Sequence, residues 1–269
     1  MRISSFGLSD VGCKREKNED SFLVDDALHL YVLADGMGGH VGGEFASRLA
    51  VDTIQSTINQ LNADPDSTLQ DSVAFPVKPN DFKTWLQYSI LLASHRIFEK
   101  ATEDNSLQGM GTTAAAFLFR NNRVYVANVG DSRGYRIRGN KIEQLTTDHS
   151  LVGEQIRAGI IKPKDAKEHR LRNIITRSVG FQSEVEVDAE ARAIKNGDVY
   201  LLCSDGLYNL VEDNEMLDVL THQELEAASH HLIDIAKARG GDDNITLVLV
   251  KVDSLQNNPN EDEESTMQC

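Results

Sequence analysis

The chain has 269 residues, 40% of them hydrophobic, and a formal net charge of −15. That is enough apolar material for a sizeable core in one large domain, and the acidity argues against non-specific binding to nucleic acid or anionic membrane. Three cysteines, Cys13, Cys203 and Cys269, give neither a disulfide framework nor a thiolate metal motif; with no window of about 18 consecutive apolar residues and no signal-like start in Met1-Arg2-Ile3-Ser4-Ser5, a cytoplasmic setting without a membrane span is expected.

In chain order, the apolar run 28–34 reads as a buried strand. Residues 44–61 follow as an amphipathic helix with Phe45, Leu49, Ile54, Ile58 and Leu61 on one face. The stretch 62–80, with Pro65, Pro76 and Pro79, reads as a loop insertion. A second helix over 81–102 aligns Phe82, Trp85, Leu86, Ala93 and Ile97. Runs 113–119 and 123–129, joined by Arg120-Asn121-Asn122, read as a hairpin, and strand 134–138 ends in a tight turn at Gly139-Asn140. The basic, polar stretch 150–178 has a weak helical signal at its start and reads as an elaboration at a sheet edge. A strand over 198–204, a helix over about 223–239 stopped by Gly240-Gly241, and a strand over 245–252 complete the pattern. Hairpins with paired helices, rather than repeated strand–helix crossovers, predict an α+β fold built on antiparallel sheet. The acidic tail 254–269 is expected to be disordered.

The acids sit in a telling place. Asp35-Gly36 follows the run 28–34, Gly130-Asp131-Ser132-Arg133 follows 124–129, Asp205-Gly206 follows 199–203 after Ser204, Asp242-Asp243-Asn244 precedes 245–250, and Asn18-Glu19-Asp20 precedes Phe22-Leu23-Val24. One Asp-Gly at a strand end is an ordinary turn. Five acids at strand ends, gathered on one edge, would repel one another unless cations compensate. Oxygen ligands without a His/Cys cluster favour Mg²⁺ or Mn²⁺ over Zn²⁺.

The ordered set Arg15-x-x-Asn18-Glu19-Asp20, Asp35-Gly36-Met37-Gly38-Gly39, Gly111-Thr112-Thr113, Gly130-Asp131-Ser132-Arg133, Ser204-Asp205-Gly206-Leu207 and Asp243-Asn244 resembles the motif series of bacterial-type PP2C-like (PPM family) metal-dependent serine/threonine protein phosphatases. The resemblance spans nearly the whole chain. It implies an α-β-β-α sandwich over residues 1–253, with a flap-like segment at about 150–178. It implies two Mn²⁺ or Mg²⁺ ions, with Asp35 bridging both, the Gly36 carbonyl on one, Asp205 and Asp243 on the other, and Asp20 and Glu19 acting directly or through water. Arg15 would clamp the substrate phosphate. Asp131, shared with Asp205, would hold a third, weaker ion, or else cap its own turn; Gly111-Thr112-Thr113 would serve packing. The implied reaction is hydrolysis of phosphoserine and phosphothreonine by attack of a metal-bridging water, without a phosphoenzyme. Met37 stands where eukaryotic members often carry a histidine proposed as general acid; His40 either takes that role or is merely an exposed neighbour. Phosphoproteins and a cognate serine/threonine kinase are the expected partners, and the protein is expected to be a monomer. A regulatory phosphatase acting on anti-sigma-factor partners, and a binding module of the same fold, are the competing readings. Against the second, none of the core aspartates is missing.

Overall fold

The computed structural model describes residues 1–38, 42–64, 73–162, 165, 169–171 and 173–255. Its architecture follows from strands that are apolar on both faces. In β3 (Leu30–Met37), Leu30, Val32 and Ala34 face one hydrophobic layer while Tyr31 and Leu33 face another. The same split occurs in β5 (Ala114–Arg120): Ala114, Ala116 and Leu118 point one way, Ala115, Phe117 and Phe119 the other. In β10 (Val199–Cys203) and β11 (Ile245–Ser254), Leu201, Cys203, Leu247 and Leu249 face outward helices, and Tyr200, Leu202, Val248 and Val250 face inward. A strand with two apolar faces must be covered twice, so two sheets pack face to face with helices outside each.

The first sheet runs in the order β1 (Arg2–Asp10), β11, β10, β7 (Arg133–Ile137), β8 (Ile142–Gln144). The second runs β2 (Asp20–Asp25), β3, β5, β6 (Arg123–Val129), β9 (Asp188–Ala193), and the short β4 (Gly111–Thr112) also pairs with β3. The pairings are antiparallel. Between the sheets Phe117, Phe119 and Tyr200 meet edge to face, with centroids 5.2–6.3 Å apart, the arrangement their ring quadrupoles favour. Helices α1 (Gly42–Ala63) and α2 (Phe82–Glu103) cover the second sheet. Helices α5 (Asp213–His222) and α6 (Leu225–Ala238) cover the first, beside α4 (Asp205–Tyr208). The result is the α-β-β-α sandwich that the motif series implies.

Local chemistry explains the element ends. Asp81 caps α2, its side chain accepting from the Thr84 amide. The hairpin turn between β5 and β6 is Asn121-Asn122, both with positive φ (51° and 55°), the twist a two-residue hairpin requires; Arg120 pairs with Arg123 and so belongs to the ladder. Phe45, expected on the buried face of α1, is instead 39% exposed; Ala46, Ala50, Ile54, Ile58 and Leu61 make that face, because the helix begins close against β3 where only small side chains fit. Strands β1 and β9 and helix α5 were not expected. β1 and β9 have mostly half-buried faces and carry little of the apolar signal that marks a central strand. The segment after Ser150 opens with α3 (Leu151–Arg157). β11 runs to Ser254, and Leu255 packs on the inter-sheet layer; the expectation of a disordered tail falls mostly on 256–269, outside the described residues.

Candidate metal-dependent active site

The two sheets bring their acid-bearing strand ends to one side. Asp20 starts β2 and lies directly opposite Asp35 near the end of β3, so both side chains leave the ladder together. In the other sheet, Cys203 at the end of β10 pairs with Leu247 near the start of β11, which sets Asp205 and Asp243 on the same edge. Two hydrogen bonds tie the edges together: Ser204 Oγ donates to Asp20 Oδ2 (3.0 Å), and the Glu19 amide donates to Asn244 Oδ1 (2.8 Å). Asp131 follows β6 and is buried, with its carbonyl accepting from the Tyr208 hydroxyl (3.0 Å). It shares with Asp205 the wall of a cavity of about 80 Å³, which Arg133, Asp148, Ser150 and Tyr208 also line. The structure thus draws Glu19, Asp20, Asp35, Gly36, Asp131, Asp205 and Asp243 to one recess. His40 lies outside the described residues.

The electrostatics of the recess are those of crowded carboxylates. Burial pushes Asp35 well above the usual carboxylate range, and the charges of Asp20, Asp205, Asp131 and Asp243 push it further. Asp205 is raised to about 7 by burial and then by Asp131, Asp243 and Asp20. Burial raises Asp20 to about 6, against hydroxyls of Thr246 and Ser204 that lower it. Asp131 is raised to about 6 by burial and by Asp148. Asp20 Oδ1 is buried and meets no donor in hydrogen-bonding geometry among the described residues. Arg15, half exposed, reaches in from the rim: its Nη2 donates to Asp243 Oδ2 at 2.8 Å. That bond, then the fields of Asp243, Glu19 and Asp35, hold its guanidinium firmly protonated. Among the described residues the acids line the recess without forming a closed cage of three or more ligands around one point.

A layer of hydroxyls and close backbone approaches fixes the acids. The Asp35 amide donates to Thr113 Oγ1 (2.9 Å), and Thr112 Oγ1 donates to the Asp35 carbonyl (2.9 Å). Thr113 Oγ1 also bonds Ser132 Oγ at 2.6 Å. The Gly111-Thr112-Thr113 motif, expected to serve packing, therefore also orients the backbone of Asp35. A Cβ on Gly36 would lie 2.2 Å from the Gly43 carbonyl oxygen and 2.5 Å from that of Glu19, so only glycine lets these three chain segments meet. Ser204 and Asn244 were visible in sequence as neighbours of acids, but nothing in their spacing revealed that they join the two sheets.

The sequence profile of the family described as "Protein phosphatase 2C" matches residues 6–245. The chain belongs to the protein phosphatase 2C family. As a member it is a protein phosphatase, a hydrolase. It is 37% identical over 252 residues to the serine/threonine phosphatase stp of Listeria welshimeri, covering 92% of this chain and 95% of that one. It is 35% identical to the protein phosphatase PhpP of Streptococcus pneumoniae, covering 91% and 96%. The crystal structure of the Mycobacterium tuberculosis serine/threonine phosphatase PstP/Ppp superposes with a TM-score of 0.82 at 34% identity, covering 94% and 99%. The catalytic domain of PstP in complex with two manganese ions gives 0.79 at 34% identity, covering 94% and 99%. Within this protein phosphatase 2C fold, the recess lies where both sheets end and the segment after Ser150 departs.

Proposed function

We propose that this protein hydrolyses phosphoserine and phosphothreonine in proteins with two Mn²⁺ or Mg²⁺ ions bound in the recess. The observation that carries the reading is the gathering of five aspartates whose charges oppose one another, with Arg15 engaged only at the rim and Asp20 Oδ1 buried without a donor. Such a set fits hard divalent cations: the donors are oxygens and the excess charge is negative. Asp35 would stand between the ions, with the Gly36 carbonyl on one side and Asp205 and Asp243 on the other. Asp20 and Glu19 would contribute directly or through water, and Asp131 with Asp205 would take a third, weaker ion. The two manganese ions of the related PstP catalytic domain support the same reading here.

When bound, the ions supply a nucleophilic water at neutral pH and offset charge on the phosphoryl group. The chain's own residues do the rest. Arg15 keeps donors free beyond its bond to Asp243, since a guanidinium carries five, and would hold two phosphate oxygens in a fork. Thr112 and Thr113 hold the Asp35 backbone, so its carboxylate faces the recess without reorganisation. Phosphoproteins made by a cognate serine/threonine kinase are the substrates this reading implies, and the protein would act as a monomer in the cytoplasm. No helix among the described residues is long and apolar enough to cross a membrane.

A phosphothreonine peptide assay tests this directly. Turnover should require Mn²⁺ or Mg²⁺, vanish in EDTA and return on adding metal. Undiminished turnover in chelator would reject the metal reading, and no turnover with any divalent ion would favour a binding module.

A further inference from the structure

The segment after Ser150 leaves and re-enters the fold at a narrow neck. Thr176 donates its amide to the His149 carbonyl (2.9 Å), Leu151 donates to Ile174 (2.9 Å), and Ser150 bridges Ile175. His149 sits at this neck, 3% exposed, and the proposed reaction assigns it nothing. It grips Gly130 twice. Its amide donates to the Gly130 carbonyl (2.9 Å), and the Gly130 amide donates to His149 Nδ1 (3.1 Å). A backbone N–H can only donate, so Nδ1 carries no proton and the neutral ring is protonated on Nε2. Nε2 faces Asp188 Oδ2 at 3.2 Å. Asp188 Oδ1 accepts from Arg177 Nη1 at 2.9 Å, and that nitrogen stands 3.2 Å from Nε2. The carboxylate therefore satisfies both donors. Burial lowers the imidazole pKa, and hydrogen bonds from His149 and Arg177 hold Asp188 below its usual value against burial that raises it.

Gly130 has consequences on its other side. It precedes Asp131 and adopts φ +102°, and a Cβ there would lie 2.6 Å from Thr113 Cγ2. Thr113 is the residue whose hydroxyl accepts from the Asp35 amide. One histidine thus joins, through Gly130, both the Asp131 turn and the Thr113 contact behind Asp35 to the neck of the segment.

We propose that His149 is a positioning residue of the phosphatase reaction, fixing the Gly130-Asp131 turn to the neck of the 150–178 segment through Nδ1 and anchoring that grip to Asp188 through Nε2–H. It rests on the reading of the recess as the hydrolytic site. The neck and the acid edge then move together: a displacement of one carries Asp131 with it.

The test uses the full chain with His149→Ala, His149→Asn and Asp188→Asn. Asparagine returns an acceptor oxygen near the Nδ1 position but cannot reach Asp188. In metal-free wild type, ¹⁵N spectra should show the ring protonated on Nε2. In metal-free His149→Ala, amide exchange at Gly130 and Thr176 should rise roughly tenfold or more while β10 and β11 stay protected. With saturating Mn²⁺, its kcat on p-nitrophenyl phosphate should fall about 10- to 100-fold, the scale of a small misplacement near the chemistry. KM should move less than about threefold, since phosphate binding is untouched. His149→Asn should recover kcat and Gly130 protection to within about fivefold of wild type. A ring protonated on Nδ1, wild-type kcat in His149→Ala, or no recovery in His149→Asn would each overturn the proposal. Should His149→Ala not fold, Asp188→Asn, a half-exposed site, decides: faster Thr176 exchange with lower kcat supports the proposal, and wild-type values of both overturn it. A wild type without metal-dependent turnover, yet with the Nε2 tautomer and protected Gly130, would instead reject the reading of the recess.

Discussion

Arg15 carries the clearest division of labour among the single residues. Its guanidinium is half exposed, and its bond to Asp243 spans side chains that are 53% and 38% exposed, so as a surface ion pair it adds little to stability. In the proposed reaction its role comes from where it points, to Asp243 at the rim of the recess. Arg15→Ala should lower kcat/KM for small phosphoesters by roughly 10- to 100-fold, mainly through KM, with metal affinity by calorimetry nearly unchanged. Arg15→Lys should recover only part, because an ammonium lacks the planar fork. Wild-type kinetics in both variants would return Arg15 to the surface. Asp35 is the opposite case. It faces four other aspartates, and Asp35→Asn preserves shape while removing the charge best placed to meet two cations. Turnover should fall by roughly 10³-fold or more, with circular dichroism unchanged; two tight metal sites surviving in calorimetry would show that another acid bridges. Asp20, Asp35, Asp205 and Asp243 were legible as candidates in the sequence because each sits at or near the end of an apolar run, whereas Arg15, in a polar stretch, stood out only through the motif series that the chain resembles. The supporting hydroxyls were not, since a threonine or serine looks the same whether it packs or orients an acid.

At the level of elements, the site depends on how β10 hands over to α4 beside the start of β11. Ser204 and Asp205 make that transition, and Gly206 touches the opposing chain: a Cβ there would sit 2.1 Å from the Asn244 carbonyl oxygen. Backbone on both sides must separate to admit even a methyl group. Gly206→Ala should therefore cost about 1–3 kcal/mol in urea unfolding and depress activity out of proportion to that loss, because Asp205 and Asp243 part together. A variant with wild-type activity and stability would show that this contact relaxes freely. The central strands were readable because two covered faces leave long apolar runs. β1, β9 and α5 escaped notice because half-buried edges and a short polar helix leave no such pattern. The misassigned Phe45 makes the same point from the other side: helical periodicity chooses a face only to within a residue or two, and the close approach of α1 to β3 decided the rest.

For the molecule as a whole, the crowded recess couples folding to protons and to metal. Asp20 and Asp131 are raised to about 6 and Asp205 to about 7, all mainly by burial, above the ordinary aspartate value of about 3.9. The folded chain therefore binds more protons than the unfolded chain between about pH 4 and pH 7. By linkage this stability is present below the unfolded pKa and is lost as pH rises through the folded values. Metal-free protein should thus melt at a lower temperature at pH 8 than at pH 5.5. Mn²⁺ should raise the melting temperature more at pH 8, where it meets ionised carboxylates, than at pH 5.5, where protons compete. Differential scanning calorimetry with and without EDTA measures both. A metal-free melting temperature that climbs from pH 5.5 to pH 8 would contradict the crowding of these acids.

The sequence by itself determined the fold class, the central strands and two long helices, and the acids at strand ends, because hydrophobic periodicity and ordered motifs are properties of the chain read along its length. Only the tertiary structure decided which groups support those acids. Ser204 meets Asp20 across 184 positions of sequence and His149 meets Gly130 across 19. Such contacts are set by the packing of two sheets and the closing of a neck. No local pattern encodes them, since a buried histidine that orients a turn and one that merely fills space share the same neighbours in the sequence.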